Sequence, residues 1–353
     1  MFDIFFIWEK SMDWLELFSQ NPLLLVVLLA VGAVIFINGW TDAPTAIATC
    51  VTSGALSLRW AVIMAALCNL AGISLSVAVS PAVAVTVRDM VRLPAEDGRL
   101  SLAVLLCAMV ATALWAVTAW VFGIPTSESH ALLSGLSGAA MAYGGAGCVM
   151  GGAWLRVVLG LFLSLAGGLL AGFLAFVVVD CFCQRHGGEN TARGMKRALT
   201  VGAAAMAFMH GAQDGQKFIG MWLLALSLGG AGDSASSAVP VLACALLMGT
   251  GTLVGGGRII RTLGEKLVRS GYREGLAADI GAAVCLLFLT LGGLPVSTTH
   301  TKTAALMGTG LAKGRGGSDM PTAAKLVLAW LLTFPACFSL AYLGMKGLLI
   351  VYA

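Results

Sequence analysis

The sequence predicts an all-α polytopic membrane protein, built as an inverted-topology repeat of two halves. Three observations carry this. First, the 353-residue chain is 59% hydrophobic and 11% charged, with mean hydropathy +0.92. Soluble proteins carry about 25% charged residues, and a β-barrel would show short alternating segments instead. Second, apolar stretches long enough to cross a bilayer recur along the whole chain. Third, two polar motifs occur twice each, in the same order and at nearly the same interval. Asp42 and Asp214 are 172 residues apart, and Pro125 and Pro295 are 170 apart, as are His130 and His300. Such a recurrence indicates a duplicated architecture.

The apolar spans fall at about 22–52, 60–80, 100–123, 125–147, 153–180, 198–228, 238–256, 277–293, 296–312 and 322–350. About ten to twelve membrane segments are expected, with two spans broken, near Asn38 and near His210. Five crossings per half put the second half upside down relative to the first. With the N-terminus outside, thirteen Lys and Arg face inward and six outward, and Lys217 and Lys302 stay within the membrane. That bias agrees with the positive-inside rule. The halves are assigned to residues 1–183 and 198–353, joined by a cytoplasmic loop at 184–197. Residues 1–20 read as an amphipathic, interfacial segment. The segment 81–99 reads as an outer loop with a short amphipathic helix, and its counterpart 257–276 is more basic.

The polar motifs are the informative part. His210-Gly211-Ala212-Gln213-Asp214-Gly215-Gln216-Lys217 lies inside an apolar run from about 198 to 228. A charge at bilayer centre costs about 2.5–3.5 kcal/mol on insertion scales, and such groups mark substrate and ion pathways. Gly211 and Gly215 favour a break in the helix. Asn38-Gly39-Trp40-Thr41-Asp42-Ala43-Pro44-Thr45 repeats the device in the first half. The hard oxygens of Asn38, Thr41, Asp42, Thr45, Gln213 and Asp214 suit a coupling cation, Na⁺ at Asp42 and Asp214 or a proton on the carboxylates.

The other pair is Ile124-Pro125-Thr126-Ser127-Glu128-Ser129-His130 and Leu294-Pro295-Val296-Ser297-Thr298-Thr299-His300. Proline presets a helix start and Ser or Thr caps it. A helix start at membrane depth attracts an anion through its N–H groups and dipole. Two such starts from opposite sides would converge on one tetrahedral oxyanion. Ser127, Ser129, Ser297, Thr298 and Thr299 are the candidate donors, with Gln216 and Lys217 beside them. Lys217 and Lys302 are expected to pair with Asp214 and Glu128 or to lend the anion positive potential. His130, His210 and His300 read as capping or supporting groups, since no metal-ligand spacing is visible.

Nothing in the composition points to a nucleic-acid partner. Most of the nine cysteines lie in apolar spans and read as small buried hydrophobes. Gly135-Leu136-Ser137-Gly138 resembles the nucleophile motif of rhomboid-type intramembrane serine proteases, but close helix packing explains those small residues. An anion channel is the other distant alternative.

The doubled motifs resemble those of the inorganic phosphate transporter family, the PiT permeases, over nearly the whole chain. Members look like N-G-x-N/H-D-x-A-N-A in the first half, H-G-A-N-D-G-Q-K or H-G-A-N-D-V-A-N in the second, and P-x-S-[ST]-[ST]-H after each. The resemblance implies a symporter importing inorganic phosphate with Na⁺ or H⁺, no enzymatic activity, an oxyanion near the midplane, a homodimer in the lipid bilayer and residence in a bacterial plasma (inner) membrane. The family's sulfate permeases make sulfate the alternative substrate. Thr45 and Gln213 stand where the family has Asn, and Glu128 where it has Ser or Thr.

Overall fold

The structure, a computed structural model, describes residues 14–93, 98–230, 238–254, 257–267, 271–314 and 319–352. Most of the amphipathic segment expected at 1–20, and Glu96 and Asp97 of the expected outer loop, lie outside those residues. The described residues are almost entirely helical.

A short α1 (Trp14–Gln20) leads into α2 (Pro22–Thr41). Asn21 caps α2, its Oδ1 accepting from Leu24 N at 3.3 Å, with Pro22 in the first turn. Such a cap supplies an acceptor for a helix-start N–H that has no partner within the helix. The helix then stops at the first motif, because Pro44 has no N–H to continue the ladder. Asp42 and Ala43 form the joint, and α3 (Pro44–Thr52) resumes beyond it. The break expected near Asn38 is therefore present.

The first half continues through α4 (Leu58–Val79), α5 (Ala82–Arg88), α6 (Gly98–Val121), α7 (Glu128–Gly144) and α8 (Gly151–Arg185). Only His186–Gly188 separate α8 from α9 (Glu189–Leu228), so most of the polar stretch 184–197 is helix and not a loop. The second half follows as α10 (Ala238–Val254), α11 (Gly257–Arg261) with a π turn at Thr262–Leu267, α12 (Tyr272–Leu291), α13 (Thr298–Lys313) and α14 (Met320–Tyr352).

The break expected near His210 is absent. Helix α9 runs through the second motif without interruption for 40 residues. Glycine within a helix costs about 1 kcal/mol relative to Ala, but here it permits close packing. A Cβ on Gly211 would stand 2.3 Å from the Asn69 carbonyl oxygen of α4. Gly39 has the same role three residues before Asp42, where a Cβ would stand 2.2 Å from the Met248 carbonyl oxygen of α10. Small residues at such crossings let backbones approach in a membrane.

The chain is a multi-pass membrane protein. Six of its described helical segments are long and apolar enough to span a bilayer, and a seventh is added if Ala238–Val254 and Gly257–Leu267 form one bent span. The other expected segments fail that test for a physical reason. Helices α7 and α13 have only 17 and 16 residues and start inside the protein, and α9 carries the charged motif.

Packing is reciprocal between the halves. Helix α2 packs on α10 and α9 on α4; α7 packs on α14 and α13 on α8. Segments expected on one membrane side touch. Val91 bridges to Val149, Arg258 donates to the Val121 carbonyl at 2.8 Å, and Lys313 meets Glu274 at 2.8 Å. The apolar side chains on the outside, such as Phe162, Phe288 and Leu331, are mostly exposed, as a lipid-facing surface requires. The polar motif residues lie buried within.

Candidate functional site

Asp214 is the hub. Its Oδ1 lies 2.5 Å from Lys217 Nζ, one turn along α9, and accepts from Ser129 Oγ of α7 at 3.3 Å. Its Oδ2 accepts from Asn38 Nδ2 of α2 at 3.4 Å and from Thr298 Oγ1 of α13 at 3.2 Å. His210 Nδ1 stands 3.5 Å from the same oxygen and 3.0 Å from Thr298 Oγ1. One carboxylate thus gathers both Asp motifs and both helix starts.

Asp42 is served from the opposite half. Thr299 of α13 donates to Asp42 Oδ1. The hydroxyls cross over: Ser129 of the first half serves Asp214, and Thr299, at the matching place in the second motif, serves Asp42. Glu128 accepts from Thr41 Oγ1. Asn38 Oδ1, Asp42 Oδ2, Glu128 Oε2 and Thr45 Oγ1 are all buried with no hydrogen-bond partner among the described residues. Buried polar atoms are nearly always satisfied by protein, water or ions, so these oxygens are suited to a cation.

The two helix starts are built alike. Ser127 Oγ accepts from His130 N at 3.2 Å, and Ser297 Oγ accepts from His300 N at 3.1 Å. Each serine is an N-cap and keeps its hydroxyl proton to donate. The two imidazoles that follow meet edge-on, with ring centroids 4.6 Å apart. His130 also stacks on Phe334, and His300 lies against Trp330.

Several expected roles change. Lys217 pairs with Asp214 as expected, but its other two protons go to Ser129 Oγ at 2.6 Å and to the Val296 carbonyl. An ammonium has three donors, so all three of Lys217's are taken by oxygens of the protein. Lys302 pairs with Asp279 and not with Glu128, and Thr49 donates to the same carboxylate at 3.1 Å. Gln213 bridges α12 to the start of α13: its Nε2 donates to the Leu294 carbonyl at 2.7 Å and its Oε1 accepts from Thr290 at 2.9 Å. Gln216 Oε1 accepts from Val83 N of α5 at 3.1 Å. Ser137 donates to the Leu133 carbonyl and accepts from Trp154, which is a packing role.

Asp279 was not among the expected site residues. Its only sequence signal is a lone acid in the apolar run 277–293.

The chain matches the model of the phosphate transporter family over residues 38–193 and 183–341. It belongs to the phosphate transporter family. This is a family of transporters and not of enzymes. A relative from Bacillus subtilis, named "Probable low-affinity inorganic phosphate transporter", is 32% identical over 89% of this chain and 94% of its own length. A Mycobacterium bovis protein of the same name is 34% identical over 90% of this chain and 75% of its own length. Among solved structures, "The sodium-dependent phosphate transporter" aligns with TM-score 0.84 and 19% identity, covering 94% of this chain and 100% of that one. That likeness concerns the fold.

Proposed function

We propose that this family member is a secondary active symporter that imports inorganic phosphate together with Na⁺ or H⁺. The observation that carries it is the meeting of two serine-capped helix starts, Ser127 and Ser297, with two buried carboxylates, Asp42 and Asp214. Helix starts and hydroxyls suit a tetrahedral oxyanion. Carboxylates with unpartnered oxygens suit a cation, whose charge offsets that of the anion. The relatives' names support phosphate as the anion.

In this reading Ser127, Ser129, Ser297, Thr298 and Thr299 hold the anion in the field of Lys217. Asn38, Thr41, Asp42 and Thr45 hold the cation, and Glu128 joins them. Asp214 links the two sites. Gln213 and Gln216 fix the surrounding helices. The halves are related as an inverted repeat, 1–183 and 198–353, and rock around this centre. The reciprocal packing of α7 on α14 and α13 on α8 supports that relation. The protein works as a homodimer in a bacterial inner membrane.

The test is uptake of labelled phosphate into proteoliposomes under imposed Na⁺ or H⁺ gradients, with sulfate as competitor. Phosphate should accumulate only with one of the gradients. Saturable sulfate uptake that excess phosphate fails to compete would overturn the reading.

A further inference from the structure

The two halves match residue by residue around the carboxylates, and the charge differs at two positions. Three residues after Asp214 comes Lys217; three residues after Asp42 comes Thr45. One residue after the capping Ser297 comes Thr298; one residue after the capping Ser127 comes Glu128. The second half has gained a cation beside its Asp, and the first half has gained an acid.

The surroundings of the Lys217 ammonium are those of a bound ion. It is 1% exposed and is met by three oxygens of three kinds: a carboxylate oxygen of Asp214, a hydroxyl oxygen of Ser129 and the main-chain carbonyl of Val296. They come from α9, from α7 and from the loop before α13. Carboxylate, hydroxyl and exposed carbonyl are the ligand types that transporters assemble for coupling cations. The Asp42 side has the corresponding atoms without a lysine. Thr299 stands on Asp42 as Ser129 stands on Asp214. There Asn38 Oδ1, Asp42 Oδ2, Thr45 Oγ1 and Glu128 Oε2 have no hydrogen-bond partner among the described residues.

Charge balance leads to the same conclusion. Three buried carboxylates, Asp42, Glu128 and Asp214, share the site with one lysine. An uncompensated buried charge is strongly unfavourable. The ammonium neutralises Asp214 at 2.5 Å. The remaining excess lies with Asp42 and Glu128, where an exchangeable cation or proton must balance it.

We propose that Lys217 is a tethered stand-in for a coupling cation. Its ammonium permanently fills, at Asp214, the place that a mobile cation takes at Asp42. Cations then enter and leave only through the Asp42–Glu128 side, and the number carried per anion is one fewer than the doubled architecture could hold. This deepens the reading of the protein as a cation-coupled symporter and rests on it.

The experiment compares wild type, Lys217→Ala and Thr45→Lys in proteoliposomes, using labelled phosphate and reversal of flux under graded Na⁺ and H⁺ gradients. Removing the lysine side chain leaves Asp214 without its counter-charge, and a mobile cation should take its place. The coupling ratio should rise by about one cation per phosphate, the cation dependence should steepen, and added ammonium or methylammonium should return it toward wild type. A coupling ratio equal to wild type in an active Lys217→Ala protein overturns the proposal. Should that variant yield no folded protein, Thr45→Lys decides. A lysine there should make phosphate binding independent of cation, and binding as cation-dependent as wild type overturns the proposal. If wild type itself shows no cation dependence, the symport reading fails instead, so the two failures are distinguishable.

Discussion

Asn38 Nδ2 stands 3.4 Å from Asp214 Oδ2, a contact between residues 176 positions apart. It joins the two Asp motifs directly, so a change at one carboxylate should be felt at the other. The first prediction concerns that coupling. Asp42→Asn and Asp214→Asn should each abolish gradient-driven uptake. They should differ in stability. Asp214→Asn leaves the Lys217 ammonium buried without its counter-charge, and breaking a buried pair typically costs 3–5 kcal/mol, so a loss of about that size is expected. Asp42→Asn leaves no buried cation unpaired and should melt close to wild type. Thermal unfolding in detergent beside uptake separates the two, and equal melting points would show that the Lys217 pair contributes little.

The paired serines offer a second test. A hydrogen bond to a charged acceptor is worth about 1.5–3 kcal/mol, and about 1.4 kcal/mol is a tenfold change in affinity. Ser127→Ala and Ser297→Ala should each weaken apparent phosphate affinity about ten- to a hundredfold at saturating cation. Each also loses its N-cap bond to His130 or His300, so melting should fall as well, by about 1 kcal/mol. If only one variant loses affinity, the anion is held by one half.

Glu128 is expected to act on cation binding. It accepts from Thr41, while Lys302 pairs with Asp279. Glu128→Gln should lower apparent cation affinity while phosphate affinity, measured at saturating cation, stays near the wild-type value. A selective change in phosphate affinity would place Glu128 on the anion side instead.

The pair Lys302–Asp279 is buried, with both side chains 0% exposed. Lys302→Met alone should destabilise by about 3–5 kcal/mol, because a carboxylate is left buried and unpaired. Lys302→Met with Asp279→Leu should recover most of that, since apolar replacements of buried pairs are often neutral. Melting of the single and double variants gives the coupling, and a double variant no better than the single would show that α13 needs the charge itself.

Gly211→Ala tests the unbroken path of α9. The new methyl would sit 2.3 Å from the Asn69 backbone carbonyl of α4. A backbone atom cannot swing away as a side chain can, so α4 and α9 must separate. Overpacking costs about 1–3 kcal/mol, and the displacement would move His210 and Asp214. Reduced melting with weakened uptake is expected, and a wild-type melting curve would show that the crossing is loose.

Much of the site was legible in the sequence, because charged and hydroxyl residues stand out against an apolar chain and these ones recur. Ser127, Ser129, Asp214, Thr298 and Thr299 needed only that contrast and the proline before each cap. The continuity of α9 was not legible. Gly211 and Gly215 look the same whether a helix breaks or a neighbour crosses closely, and only the position of α4 decides. The partner of Lys302 was hidden for a related reason. Asp279 belongs to no motif, and no spacing rule brings α12 against α13. Fewer described helices are long and apolar enough to cross alone than the sequence has membrane segments, because α7 and α13 are short and begin in the interior and α9 carries the charged motif.

The exchange of hydroxyls between the halves bears on how the protein is made. Asp42 receives its bond from Thr299, 257 residues later in the chain. Until that segment is made, the first half waits in the bilayer with Asp42 lacking the hydroxyl that serves it. A chain stopped before α13 can insert its early helices but cannot close the centre. Assembly is therefore finished only when the last segments arrive, and quality control that senses exposed charge within the membrane has until then to act on an incomplete chain.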